Sequence, residues 1–215
     1  MPNEPDFTTR LGGWLFRHRT SLPLPFAAAI LILPASLASR SVGLIASGAA
    51  VTMLGEMLRL WGVHHIGAIS RTRTDRLGPL VDSGPFARLR NPLYVGNVAI
   101  WMGFALLAGL VWLAPIILVL LGLEYHAIVR WEEHLLESRL GSAYRAYTAR
   151  VPRWIPTFNR RGGGTRREKD LKDLSPTFAS SAVRPYSWRE TVFSERGTLL
   201  AIVAGCLLLW LKARS

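Results

Sequence analysis

The chain has a single cysteine, Cys206, so no disulfide can form within it, and no Cys/His cluster offers the spacing of a zinc site. A dinucleotide fingerprint is missing too. The glycine run Gly162–Gly164 follows no recognisable strand and lacks the G-x-G-x-x-G spacing. Acidic residues are few, 14 against 26 Lys and Arg, for a net charge of +12. That excess does not point to nucleic acid, because the basic residues sit mainly beside apolar blocks, where they set topology and meet anionic headgroups.

What is present is apolar length. Half of the 215 residues are hydrophobic, and they gather in blocks that approach the roughly 20 residues needed to cross a bilayer. After a polar start with Arg10, Arg17 and Arg19, residues 22–39 form a first block. Ser36-Leu37-Ala38 resembles a signal-peptidase site, but the leader would be long, and this block is read as a retained first span. Residues 42–63 form the second. They carry Glu56 and Arg59, three apart and so on one helical face, read as a structural ion pair near the interface, with the polar wall of a cavity as the alternative. His64 and His65 close that helix; adjacent positions diverge, so they are read as interface residues rather than a metal pair.

Residues 66–90 form a basic loop with Arg71, Arg73, Arg76, Arg88 and Arg90. Third and fourth spans follow over 93–110 and 113–130, joined without charge as a tight hairpin. Counting Lys and Arg puts the N-terminus, the 66–90 loop and the segment after 130 on the cytoplasmic side. Residues 131–151 read as an interfacial helix, with Leu136, Leu140, Tyr144, Tyr147 and Val151 on one face and Gly141 weakening its middle. The last apolar block, 197–211, is short for a span, with Trp188, Trp210 and Lys212 as flanks. The expected fold is thus all-α: a polytopic helical membrane protein with about four core transmembrane helices, an interfacial helix and a fifth, C-terminal membrane helix. Its expected organisation is a core over 1–158, a linker over 159–196 and a C-terminal membrane segment over 197–215.

Two polar groupings stand out. Asn91-Pro92 is a strong helix start, since Asn caps free N–H groups and Pro fits the first helical position. Arg88 and Arg90 lie just outside it and Tyr94 one turn in. The other grouping is Glu132-Glu133, beyond the fourth span. If the third and fourth spans pair antiparallel, the two groupings flank one crevice, suited to a zwitterion carrying a carboxylate and an ammonium.

The segments GPFARLRNPLYVGN and EEHLLESRLGSAYRAYTARVPRWIP closely resemble the isoprenylcysteine carboxyl methyltransferase and phospholipid methyltransferase superfamily. LRLWGVHHIGAISRTRT resembles that superfamily's preceding region, so the likeness covers roughly residues 42–158. It implies a membrane enzyme that uses S-adenosylmethionine without a Rossmann domain and takes a lipid-like or prenylated acceptor, at a carboxyl or an amine, from the bilayer. Carried over by position, the cofactor contacts fall on Gly78, Pro79, Leu80 and Val81, on Phe86, on Asn91, Pro92, Leu93 and Tyr94, and on Glu132.

Three positions depart from the family pattern. Asn91 stands where the family has His, and Phe86 where it has Tyr. The acceptor-site arginine expected four residues before Glu132 is Ile128; the nearest arginine, Arg130, is the candidate catalytic residue. A two-residue shift turns a helical side chain by about 200°, which weighs against a prenylcysteine carboxylate as acceptor. His126 and His134 flank Glu132 in sequence and read as helix-face polar residues. The competing readings are an NADPH-dependent membrane lipid or sterol reductase and a non-catalytic membrane scaffold. Membrane lipids are expected partners; nucleic acid and a metal are not.

Overall fold

The computed structural model describes residues 6–34, 41–67, 80–156 and 185–214. Seven α-helices and a short 3-10 helix account for most of them, and no strand occurs among the described residues. Helices α1 (Phe7–His18) and α2 (Leu24–Ile32) precede α3 (Val42–Ile66). The 3-10 helix, Gly84–Ala87, leads into α4 (Pro92–Leu107), and α5 (Leu113–Leu140), α6 (Ser142–Thr148) and α7 (Trp188–Lys212) follow.

Three helices, α3, α5 and α7, are long and apolar enough to cross a membrane, and α4 is a shorter apolar helix. At 1.5 Å per residue they measure about 38, 42, 38 and 24 Å, against a hydrocarbon core of about 30 Å. In the described part of the first apolar block, α2 is nine residues and about 14 Å long, too short to span a bilayer by itself; positions 35–39 of the expected span lie outside the described residues. The polar start yields a helix the sequence reading does not anticipate. Asp6 caps α1 by accepting from the Thr9 N–H at 2.9 Å and its hydroxyl at 2.5 Å. Gly12 and Gly13 then let α1 lie directly on α5, against the Ala127 carbonyl and the Trp131 ring.

α3 and α4 pack antiparallel at backbone contact. A Cβ on Gly55 would come within 2.8 Å of the Gly96 carbonyl oxygen, and one on Gly96 within 2.7 Å of the Gly55 oxygen. Gly48 meets the Gly103 oxygen in the same way, two turns along, and Gly62 meets Leu93. Glycines seven apart on α3 (48, 55, 62) and on α4 (96, 103) form matched stripes, the close-approach packing that apolar helices use where lipid gives no hydrophobic drive. The α4–α5 hairpin closes through Gly109, at φ 73°, as expected from its uncharged loop. Ile100, Phe104, Ile117, Leu121, Tyr125 and Ile128 fill the seam between these helices.

α5 continues through residue 140 as one helix, so the first half of the expected interfacial helix is the end of a span. The break comes at Gly141, whose φ of 53° turns the chain into α6. The apolar face read over 136–151 nonetheless assembles: Tyr144, Tyr147 and Val151 are buried, with Leu136, Leu140 and Leu80 against them. α7 is longer than its apolar block, because Ser187 and Glu190 form a capping box ahead of it. It packs antiparallel to α3 and is tied at both ends. Trp188 stacks on His64 at 4.3 Å, and Lys212 donates to the Ile30 and Leu33 carbonyls at 2.7 and 2.6 Å, at the end of α2.

Candidate functional site

The start of α4 lies beside the end of α5, as the hairpin requires. Tyr94, one turn into α4, donates its hydroxyl to Glu132 Oε1 at 2.9 Å. Its ring stacks on Tyr125, about two α5 turns before Glu132, with centroids 4.7 Å apart. Tyr125 Oη accepts from Asn97 Nδ2 at 3.3 Å. The Arg19 guanidinium, just after α1, is within electrostatic reach of both Glu132 and Tyr94. Glu132 therefore sits beside the Tyr94 phenol and within reach of a cation, with acceptor capacity beyond its one tyrosine partner.

Glu133 does different work. Arg153 approaches it with both Nη2 (2.5 Å to Oε2) and Nε (3.1 Å to Oε1), and Arg90 reaches Oε1 at 2.9 Å. These bonds tie the loop before α4 and the segment after α6 to α5. Arg90 N–H also donates to the Pro152 carbonyl at 2.9 Å, and Asn91 Nδ2 to the Arg153 carbonyl at 3.2 Å. Asn91 occupies the N-cap position, but its side chain does not cap. This corrects the expected role: the amide is spent on holding the 152–153 strand of chain across the helix entrance. The two arginines also part from Tyr94. Arg90 goes to Glu133, and Arg88 lies over the Trp61 ring at 5.8 Å.

The remaining sequence candidates separate by helix face. Pro92 is buried and Leu93 packs on Gly62 of α3, away from Glu132. Phe86 is buried, and its carbonyl accepts from Tyr147 Oη at 2.8 Å. Leu80 belongs to the Tyr144–Tyr147–Val151 cluster, with Val81 half-buried beside it in sequence. Gly78 and Pro79 lie outside the described residues, as do Arg71, Arg73 and Arg76. Arg130 is not brought to Glu132. It is exposed and pairs with Asp6, the α1 cap, at 2.7 Å. His134 also lies within electrostatic reach of Asp6. Burial pushes the Tyr144 and Tyr147 phenols above their ordinary value.

A second polar cluster sits deeper, and sequence reading found half of it. Glu56 and Arg59 do pair, Oε2 to Nε at 3.6 Å. Arg59 also donates Nη1 to Asn97 Oδ1, and Nη2 to Glu195 Oε2 at 2.5 Å and Thr198 Oγ1 at 3.4 Å. Glu195 and Thr198 belong to α7, at a distance in sequence that no helical spacing could reveal. The one available signal was charge, since an acidic residue beside an apolar run needs a partner. No group of three or more His, Cys, Asp or Glu suited to a metal ion occurs among the described residues.

The family model of phospholipid methyltransferases matches residues 44–143. The nickel-cobalt-cadmium resistance protein NccN of Alcaligenes xylosoxydans xylosoxydans is 29% identical over 152 residues, covering 68% of each chain. No solved structure gives a significant match. The matched segment holds nearly all of α3, the whole of α4 and α5, and with them Tyr94, Glu132 and Glu133. Through that segment, just under half of its length, the chain is similar to the phospholipid methyltransferases, and it carries this likeness on a helical architecture with helices long and apolar enough to cross a membrane.

Proposed function

We propose that this protein is an S-adenosylmethionine-dependent methyltransferase whose cofactor is held where α4 begins and α5 ends, and whose acceptor is a lipid-like molecule with a carboxyl or amine group. The observation that carries the reading is the Tyr94–Glu132 hydrogen bond at 2.9 Å, inside the segment matched to the family. The donor set fits the group. A carboxylate with unspent acceptor capacity suits the ammonium or ribose hydroxyls of S-adenosylmethionine, and two stacked phenols offer it an aromatic wall.

When bound, the cofactor supplies a methyl group on a positively charged sulfur, already activated for in-line displacement. The protein's part is orientation and electrostatics. Tyr94 Oη holds the Glu132 carboxylate in one rotamer. Glu133, engaged by Arg90 and Arg153, fixes the chain segments flanking that carboxylate. Phe86 offers a buried ring without a hydroxyl. A carboxylate acceptor attacks without a base, whereas an amine must first shed a proton. The excess of Lys and Arg around residues 66–90 and after 130 favours the cytoplasmic side for this end of the bundle.

Calorimetry on detergent-purified protein tests the reading, with S-adenosylmethionine and S-adenosylhomocysteine as ligands and Glu132→Gln as the variant. Saturable binding by the wild type, weakened at least roughly tenfold by the substitution, is the expected result. A folded wild type that binds neither ligand overturns the proposal, and NADPH is then the ligand to try.

A further inference from the structure

We infer that Glu195 of α7 is a positioning residue for the Tyr94–Glu132 pair, acting through Arg59 and Asn97, so that the C-terminal helix is part of the working site although it lies outside the family-matched segment. The role in methyl transfer rests on the function proposed above; the coupling itself does not.

Arg59 is largely buried, its side chain 14% exposed, and has no acceptor capacity, so each of its hydrogen bonds must be a donated one. Nη2 goes to Glu195 Oε2 at 2.5 Å, with Thr198 Oγ1 at 3.4 Å on the same nitrogen. That engagement aims Nη1 at Asn97 Oδ1. With its oxygen turned to Arg59, the Asn97 amide presents its NH₂ the other way, and Nδ2 donates to Tyr125 Oη at 3.3 Å. Tyr125 is thereby held against Tyr94, 4.7 Å between centroids, and Tyr94 holds Glu132. Four helices are linked in this way, and each link fixes the orientation of the next.

Glu56 makes Glu195 decisive rather than decorative. Both Glu56 carboxylate oxygens are buried without a hydrogen-bond partner, and the nearest cation is Arg59 Nε at 3.6 Å. Two carboxylates compete for one guanidinium, and Glu195 has it by the shorter contact. Without Glu195 the guanidinium is drawn to Glu56, since a buried charge left unpaired is costly. Asn97 then loses the donor that sets its amide, and the track to Glu132 loses its fixed end.

The test needs a readout that mere anchoring of α7 would not move. Infrared difference spectra, each variant with and without Glu132→Gln, isolate the Glu132 carboxyl band in ligand-free protein. Three variants are compared: Glu195→Gln, Glu195→Asp, and Lys212→Met, which removes the other tether of α7 at Ile30 and Leu33. The expected result is a band shifted in Glu195→Gln toward its position in Tyr94→Phe, partly restored in Glu195→Asp and unmoved in Lys212→Met. S-adenosylhomocysteine binding should weaken roughly three- to tenfold in Glu195→Gln. An unmoved band in both folded Glu195 variants overturns the inference, and so does an equal shift in Lys212→Met. Failure of the wild type to bind S-adenosylhomocysteine overturns the proposed function instead, while the infrared comparison still decides the coupling.

Discussion

Tyr94 and Glu132 are 38 residues apart in the chain and share a hydrogen bond of 2.9 Å, because the α4–α5 hairpin folds the start of one helix onto the end of the other. Tyr94 lies one turn inside a helix whose entrance is fixed by Pro92 and by the Asn91 bond to the Arg153 carbonyl. Glu132 lies on a 28-residue helix that outruns the bilayer core. The contact therefore falls near the end of the bundle, where a carboxylate has access to polar partners.

Tyr94→Phe keeps the ring and its stack on Tyr125 but removes the hydroxyl. Hydrogen bonds to a charged group contribute about 1.5–3 kcal/mol. S-adenosylhomocysteine affinity measured by calorimetry should fall roughly tenfold. An affinity equal to wild type would mean that Glu132 is oriented by something other than Tyr94.

Glu133→Gln should act on stability more than on ligand binding. It leaves Arg90 and Arg153, which are engaged to one carboxylate at 2.9 and 2.5 Å, without their counter-charge. All three side chains are at least partly buried, so a loss of about 1–3 kcal/mol is expected. Thermal melts in detergent check it. A larger effect on ligand affinity than on melting would move Glu133 into the binding site.

The glycine stripes separate tight helix contacts from open ones. Gly96→Val puts its side chain into the Gly55 carbonyl and the Arg59 stem, and should abolish stable folding or sharply lower the melting temperature. Gly122→Ala on α5 meets nothing within 4 Å. It should leave the melt unchanged or raise stability by up to about 1 kcal/mol through helix propensity. Equal effects of the two would contradict the α3–α4 packing.

Alkaline pH should loosen the α6 cluster. The Tyr144 and Tyr147 phenols are raised above their ordinary value of 10.0 by burial, so the folded state keeps protons that the unfolded chain releases. The stabilisation is fully present below about pH 10 and is lost as pH rises through the folded values. Melts followed from pH 8 to 11 should decline only at the top of that range, and less steeply in Tyr144→Phe. A decline already complete by pH 9 would point to other groups.

Much of the helical layout could be read from apolar length and punctuation, and where reading stopped is instructive. Asn91-Pro92 marked the start of α4 correctly, yet the Asn91 side chain serves a distant carbonyl instead of its own helix. Gly141 marked a break, but α5 runs up to it as one helix, since nothing in residues 131–140 opposes helix. The polar first 20 residues gave little sign of α1, whose place depends on two glycines meeting Ala127 and Trp131. α7 began nine residues before its apolar block, at a capping box that charge alone disguised.

The sequence by itself determined that this is a helical membrane protein, where its main apolar helices lie, and that Glu132-Glu133 and the Asn91-Pro92 entrance belong to one family pattern. Those properties are local: run length, caps, breakers and short motifs act over a few residues. Only the tertiary structure decided that Tyr94 bonds Glu132, that Arg130 turns to Asp6, and that Arg59 takes Glu195 over Glu56. Such choices depend on which helix faces meet, and a buried charge takes the partner that packing brings nearest, however far away it is in the chain.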